Sequence, residues 1–283
     1  MTIYPFIIHL GPLEVTGYGL MLMVAFLMGG WLIARQLRES GLREDYAADV
    51  VAAAVIGGII GAKLWYVALT RDPGALLSRG GLVWYGGFIG GAVAVIFNGW
   101  RLGVPLRWTM QLAAPALAAA YALGRVGCFL VNDDYGRPTT LPWGVKFPQG
   151  LPPSTAGNLH QLFGVPVPQG IDPSTVMTVH PTQLYEVAAM LIAFAILWSL
   201  RKVGRPVGWL FGLYLIFAGV ERFLVEIVRA KDDRFLGPFT IAQLTSVILV
   251  VIGLVLISVW RNRAAPGPRS YLETGRRAAV SNN

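Results

Sequence analysis

The sequence predicts an all-α integral membrane protein of seven transmembrane helices, with its N-terminus outside and an irregular proline-rich cap on the outer face. Three observations predict it. The 283 residues are 55% hydrophobic and only 13% charged, where a soluble domain carries about 25% charged residues. Apolar runs close to the ~20 residues that a bilayer needs recur seven times along the chain. The lysines and arginines between those runs are shared unequally by the two sides, as the positive-inside rule requires.

The chain opens on MTIYPFIIHL, with no Lys or Arg before its first apolar run. That stretch lacks the basic region of a cleaved signal peptide. The seven spans are expected at about 17–34, 49–69, 82–100, 108–124, 183–200, 207–226 and 239–260. The fourth carries Pro115 in mid-run, which a membrane helix tolerates when its neighbours satisfy the freed carbonyl. Gly57 and Gly61 in the second span, and Gly86–Gly90 and Gly87–Gly91 in the third, have the small-residue spacing that lets helix backbones approach closely. Residues 1–263 are expected to form one transmembrane domain, cap included at about 130–180. Residues 264–283, polar and rich in small residues, are expected to be a disordered cytoplasmic tail.

Orientation follows from the 23 Lys and Arg residues. Thirteen lie in one set of gaps: Arg35, Arg38, Arg43, Arg101, Arg107, Arg201, Lys202, Arg205, Arg261, Arg263, Arg269, Arg276 and Arg277. Eight lie in the other: Arg71, Arg79, Arg125, Arg137, Lys146, Arg229, Lys231 and Arg234. Lys63 and Arg222 fall inside spans. The first set is therefore cytoplasmic. The longest gap, about 125–182, then faces outward. Its eight prolines between 138 and 180 exclude regular helix. A long gap of this kind is either a disordered loop or a functional element. Trp143, Phe147, Leu151 and Phe163 favour an ordered cap.

Composition also excludes function classes. The +8 net charge is scattered between apolar runs and carries no nucleic-acid signature. One cysteine, Cys128, excludes an internal disulfide, and His9, His160 and His180 are too widely spaced for a zinc signature. No metal or cofactor is expected.

Polar chemistry concentrates where spans end. Leu123–Pro138 reads LGRVGCFLVNDDYGRP, and charge at the end of an apolar run marks a membrane-protein site. Arg222, Glu226 and Arg229 stand at i, i+4 and i+7 and share a helix face. They read either as a structural ion-pair ladder or, with Arg125 on the same side, as an anion site; the planar guanidinium fork suits phosphate. His180–Glu186 reads HPTQLYE, with Thr182 as a candidate helix cap and Glu186 in the first turn, where the helix dipole favours negative charge. A structural cap leaves His180, Gln183 and Tyr185 in the same turn unexplained. Lys63 reads as a residue that snorkels to the interface. Tyr18 and Tyr85 open the first and third spans, where tyrosine is commonly an interfacial anchor.

Taken together, GYGLM, RGGLVWYGGFIGG, GRVGCFLVNDDYG, HPTQLYE and RFLVEIVR resemble the motifs of the bacterial prolipoprotein diacylglyceryl transferases, in family order and over most of the chain. The resemblance implies a seven-helix inner-membrane enzyme whose site faces the periplasm. It implies transfer of the diacylglyceryl group of phosphatidylglycerol to the thiol of a lipobox cysteine in a prolipoprotein signal peptide, with a thioether formed and glycerol phosphate released. It places Arg125, Arg222, Tyr85, Glu186 and His180 in catalysis. Tyr18, Arg125, Asn132, Asp133, Gln183, Tyr185, Glu226 and Arg229 would contact lipid or peptide. Expected partners are phosphatidylglycerol, lipobox signal peptides and membrane lipid, with no nucleic acid.

Two positions depart from the family pattern. Tyr85 stands where the family has histidine, and Cys128 where it has asparagine. Tyrosine, with an unperturbed pKa near 10, is a weak base at neutral pH. An ionised Tyr85, Glu186, His180, or the positive field acting on the substrate thiol can fill the gap. Cys128 reads as a small hydrophobe, with an enzyme nucleophile in a two-step transfer as the alternative. A divergent paralogue using another lipid or acceptor, and a non-catalytic anionic-lipid-binding or transport protein, stay open as readings.

Overall fold

In a computed structural model of the chain, residues 1–11, 13–77, 81–231, 234–236, 239–264, 266–268 and 271–273 are described. The chain begins with an antiparallel hairpin, β1 (Ile7–Leu10) and β2 (Leu13–Thr16), in which Ile7 pairs with Thr16. Thr16 then caps α1 (Gly17–Glu39) by accepting a hydrogen bond from the Gly19 amide at 3.2 Å. There follow α2 (Tyr46–Thr70), a 3-10 turn (Pro73–Leu77), α3 (Trp84–Arg101) and α4 (Leu106–Leu130). A long irregular stretch contains only the short α5 (Ala156–Gln161). The chain resumes as α6 (Thr182–Leu200), α7 (Trp209–Glu226), the small hairpin of β3 (Arg234–Leu236) and β4 (Phe239–Thr240), and α8 (Ile241–Arg261). Thr240 and Gln243 close a reciprocal capping box at the start of α8.

The long helices coincide with the seven apolar runs, and most extend beyond them. Among the described residues, five (α1, α2, α4, α6 and α8) are long and apolar enough to cross a membrane. The other two, α3 and α7, have 18 residues each, and α7 carries Glu221, Arg222 and Glu226. The outer surface of the bundle is apolar: Leu27, Ile59, Leu69, Phe88, Val93, Ile192 and Ile248 all lie exposed. A patch that continuous is matched to lipid rather than water.

Helix α4 is the centre of the bundle and packs against α1, α3, α6 and α7. Its alanines make this possible: Ala114, Ala118 and Ala122 are buried with Met190, Leu197 and Leu210. Pro115 is buried within the same helix, which continues on both sides of it. The second and third helices meet through their glycines. A Cβ on Gly57 or Gly61 would collide with the Gly90 or Gly86 carbonyl, so the small-residue spacing in the sequence is the α2–α3 contact.

One end of the bundle is tied by Arg201 to Glu39 at 3.0 Å and by Arg107 to the Val207 carbonyl at 2.8 Å. In the tail expected to be disordered, Tyr271 and Leu272 belong to a core cluster with Leu37, Leu42 and Tyr46 at this end. Arg276 and Arg277 lie outside the described residues. Tyr271 and Leu272 are held by a buried apolar seat: Leu272 is fully buried and its carbonyl accepts the Arg43 amide at 2.9 Å. At the other end, residues 131–181 fold around a second core of Tyr135, Val145, Phe147, Leu159, Val165 and Val179. The N-terminus is woven into it, with the Ile3 amide donating to the Lys146 carbonyl at 3.0 Å. Of the apolar residues expected to order this stretch, Phe147 is fully buried and Phe163 packs against the core, while Trp143 and Leu151 are exposed.

Candidate functional site

Three structural segments bring charge together at the end of the bundle that carries residues 131–181. The first is α4. Its helix runs six residues beyond the expected end at 124, so Arg125 and Cys128 sit on its last turns rather than in a loop. The extension is possible because Gly127 lets α4 lie against Tyr18 of α1. The second is the turn after it, where Asn132 and Asp134 adopt left-handed backbone (φ 60° and 64°). Asn and Asp tolerate that region better than most residues. The third is α6 with α7, which supply Glu186, Arg222 and Glu226, with Arg229 just beyond the end of α7.

These side chains form a closed ring of alternating charge. Arg222 pairs with Glu226 at 2.8 Å, and Glu226 faces Arg229 at 3.7 Å. Arg229 grips Asp134, which also accepts from Arg125 Nη1 at 2.9 Å. Arg125 Nη2 donates to Glu186 Oε1 at 3.0 Å, while its Nε closes on Oε2. Glu186 returns to Arg222 at 3.7 Å. The carboxylates of Glu186 and Glu226 are fully buried, and the Arg125 and Arg229 side chains are 11% exposed. The ring opens outward at Arg222 and Asp134, exposed by 25% and 36%. Its two long links, both 3.7 Å, are too long for hydrogen bonds and leave guanidinium N–H donors of Arg222 and Arg229 without a close carboxylate among the described residues.

The remaining partners set the frame. Tyr121 of α4 donates to Glu186 Oε2 at 3.0 Å. The Cys128 thiol accepts a long hydrogen bond from Arg125 Nη1 at 3.5 Å. Thr182 does not cap α6; its hydroxyl donates to the Asp134 carbonyl at 2.7 Å, because the turn has replaced the helix end as its partner. Gln183, fully buried, donates to the Asp133 carbonyl at 2.6 Å. Asn132, equally buried, donates to the Ile3 carbonyl at 3.0 Å. Gly136 is the pivot of this lacing. A Cβ there would meet Val228 O, His180 Cβ and Thr182 Cγ2 at 2.6–2.8 Å.

Titration follows from placement. Burial pushes the Asp133 carboxyl up, with Asp134 beside it adding to the effect. Burial also acts on Asp134, but the Arg229 and Arg125 guanidiniums outweigh it and hold that group below the usual carboxylate value. Burial pushes the His180 imidazole down. His180 Nδ1 lies 3.1 Å from the Tyr185 hydroxyl, which accepts from Trp143 Nε1 at 2.8 Å. An indole N–H only donates, so the Tyr185 proton is left for Nδ1 of a neutral imidazole.

Of the expected site residues, Arg125, Glu186, Arg222, Glu226 and Arg229 meet in the ring. Asn132, Asp133 and Gln183 build the turn beneath it, and His180 and Tyr185 stand at its edge. Tyr18 faces the same region, within electrostatic reach of Arg125 and Cys128. Tyr85 is apart: it opens α3, is 63% exposed, and sets its ring edge-on to Trp84. Among the described residues it makes no hydrogen bond to the ring. Sequence reasoning passed over Asp134, Tyr121 and Glu221. Asp134 was hidden beside Asp133, and only the backbone turn decides which aspartate faces the arginines. Glu221 had a signal, a carboxylate within an apolar run.

The family model described as prolipoprotein diacylglyceryl transferase matches residues 5–259. Curated relatives named phosphatidylglycerol–prolipoprotein diacylglyceryl transferase include that of Clostridium tetani, 31% identical over 92% of this chain and 98% of its own. Those of Cupriavidus metallidurans and Bacillus cereus are each 34% identical, over 93% and 94% of this chain and 95% of their own. With the match running from the N-terminal hairpin to the last long helix, the chain belongs to the prolipoprotein diacylglyceryl transferase family.

Proposed function

We propose that this chain transfers the diacylglyceryl group of phosphatidylglycerol to prolipoproteins, the activity its relatives are named for, and that the acceptor is the lipobox cysteine thiol. In this reading it is a seven-span protein of the bacterial cytoplasmic membrane, with α3 and α7 spanning alongside the other five. Residues 131–181 form a periplasmic cap, and the charged ring faces the periplasm. The partners are phosphatidylglycerol, the lipobox signal peptide and the surrounding lipid.

The observation that carries the reading is the ring of three arginines and three carboxylates at one end of an apolar bundle. A thiolate that attacks a glyceryl carbon expels a phosphate oxygen, and negative charge grows on that phosphate as the C–O bond breaks. Fixed guanidiniums in a low-dielectric site stabilise that charge and need no reorganisation to do so. The donors left open on Arg222 and Arg229 are the ones an incoming phosphate engages, while Arg125 stays clamped by Glu186 and Asp134. Glu226 and Asp134 hold the arginines in register. Tyr18 and Tyr185 line the approach for lipid or peptide, with Asn132, Asp133 and Gln183 supporting the turn. His180 assists at the edge. Tyr85, at the exposed start of α3, meets the incoming lipid and is the family-motif position at which a catalytic hydroxyl would act.

The test is expression in cells depleted of their own transferase, with a reporter prolipoprotein followed by mass. Reporter lipidation by the wild-type chain, lost in Arg125→Ala and Arg222→Ala, supports the reading. An unmodified reporter with the protein present in the membrane refutes it. Cys128→Ala keeps activity if the thiol only fills space beside Arg125; an inactive variant would revive the two-step route.

A further inference from the structure

Among the described residues, Glu221 is the buried carboxylate near the ring that no arginine pairs with. Glu186 and Glu226 are each held by two arginines. Glu221, on α7 next to Arg222, is only 6% exposed, and neither of its carboxylate oxygens has a hydrogen-bond partner among the described residues. A buried acid left without donors is costly to a fold, and inside a membrane helix such a group is a functional candidate. The groups facing it are Tyr121 and Arg125 of α4, Glu186 of α6, and Arg222 and Tyr214 of α7. Tyr121 couples to both acids: its hydroxyl donates to Glu186 Oε2 at 3.0 Å, and it is within electrostatic reach of Glu221.

We propose that Glu221 is the proton acceptor for the thiol that enters this site, reached through the Tyr121 hydroxyl. The proposal rests on the transfer reaction inferred above. Glu186 cannot take this part without releasing Arg125 and Arg222, whereas Glu221 holds nothing in place. The step balances as follows. The Tyr121 hydroxyl turns its proton from Glu186 to Glu221, and the thiol proton then passes to Tyr121 Oη as the Tyr121 proton passes to Glu221. The sulfur lone pair forms the S–C bond to the glyceryl carbon, and the C–O electron pair leaves with the phosphate. The departing phosphate monoester, or water following it, removes the proton from Glu221 and resets the site. No oxidant, metal or further reactant enters.

The test compares acceptors that need a base with acceptors that do not. Purified wild type, Glu221→Gln, Glu221→Asp and Tyr121→Phe are assayed in phosphatidylglycerol vesicles with a lipobox peptide carrying cysteine, and with the same peptide carrying selenocysteine, whose selenol is ionised at neutral pH. Removing a proton acceptor lowers the thiol rate by about 10²–10⁴-fold. Glu221→Gln is expected to show that loss in kcat with KM for phosphatidylglycerol unchanged, and to recover to near the wild-type rate with the selenol. Glu221→Asp retains part of the thiol rate, and Tyr121→Phe, which cuts the relay, is expected to lose about as much as Glu221→Gln and to be likewise rescued. An equal loss on both peptides means a structural role and overturns the proposal, as does an unchanged thiol rate in Glu221→Gln. If wild type itself transfers nothing to either peptide, the transfer function fails, and the proton acceptor fails with it.

Discussion

Arg125 and Glu186, 61 positions apart in the chain, form a buried two-point ion pair, with Nη2 donating to Oε1 at 3.0 Å and Nε against Oε2. The pair joins the end of α4 to the first turns of α6 and fixes one side of the charged ring. Removing one partner of such a pair leaves the other charge buried and uncompensated, which costs about 3–5 kcal/mol. Arg125→Ala and Glu186→Ala are therefore expected to lose transfer activity and to lower the melting temperature in detergent together. Arg125→Lys keeps the charge but not the planar fork, so it should stay folded and still lose most activity. An Arg125→Lys variant with wild-type rates would show that charge alone suffices.

Arg222 plays a different part. It is the most exposed arginine of the ring, paired closely with Glu226 and only loosely with Glu186. Loss of one donor to a developing anion costs about 10²–10³-fold in kcat, which is the fall expected for Arg222→Ala. Glu226→Gln leaves every arginine present and loosens the aim of two, for a smaller loss of about tenfold, or ~1.4 kcal/mol. Steady-state assays of both variants check the order; a Glu226 variant more damaged than the Arg222 variant would contradict it.

Gly136 is where the turn meets α6 and the chain beyond α7. A methyl group there has no space between Val228 O, His180 Cβ and Thr182 Cγ2. Gly136→Ala is expected to destabilise the protein by about 1–3 kcal/mol through overpacking, seen as a lower melting temperature. It should also loosen Thr182 from Asp134 and so reduce activity without touching a charged residue.

The His180 imidazole is held below its ordinary pKa by burial, so the fold favours the neutral ring. Above the unfolded value near 6.5 this contribution is fully present. As pH falls below that value, the unfolded chain binds the proton more readily and the stabilisation is lost. Between pH 7.5 and 5.5 the wild-type melting temperature should fall more steeply than that of His180→Gln. Parallel curves would mean that the Tyr185–His180 contact does not depend on the neutral ring.

The bundle was legible in the sequence because lipid imposes its own pattern: apolar runs of span length, glycines spaced for contact, arginines biased to one side. The α2–α3 crossing could be read from Gly57, Gly61, Gly86 and Gly90 alone. The charged cluster could be read in part too, since Arg222, Glu226 and Arg229 share a helix face in the sequence and Arg125 and Glu186 stand at the ends of apolar runs. What escaped depends on local backbone and on distance. That α4 continues through Gly127 to Leu130, that Asp134 rather than Asp133 turns toward the arginines, and that Thr182 bonds the turn instead of its own helix are tertiary outcomes with no periodic signature. Tyr85 sits at a motif position yet is exposed beside Trp84, an outcome with no signature in the sequence. Tyr271 and Leu272 look like tail in composition and are held by one apolar seat.

The most direct measurement uses purified protein in vesicles of phosphatidylglycerol with a synthetic lipobox peptide, and follows peptide mass and soluble phosphate ester together. Transfer of the diacylglyceryl group predicts a peptide gaining that mass on its cysteine, with one glycerol phosphate released per peptide and no reaction in vesicles that lack phosphatidylglycerol. A peptide that keeps its mass, or a mass gain without glycerol phosphate, would contradict it.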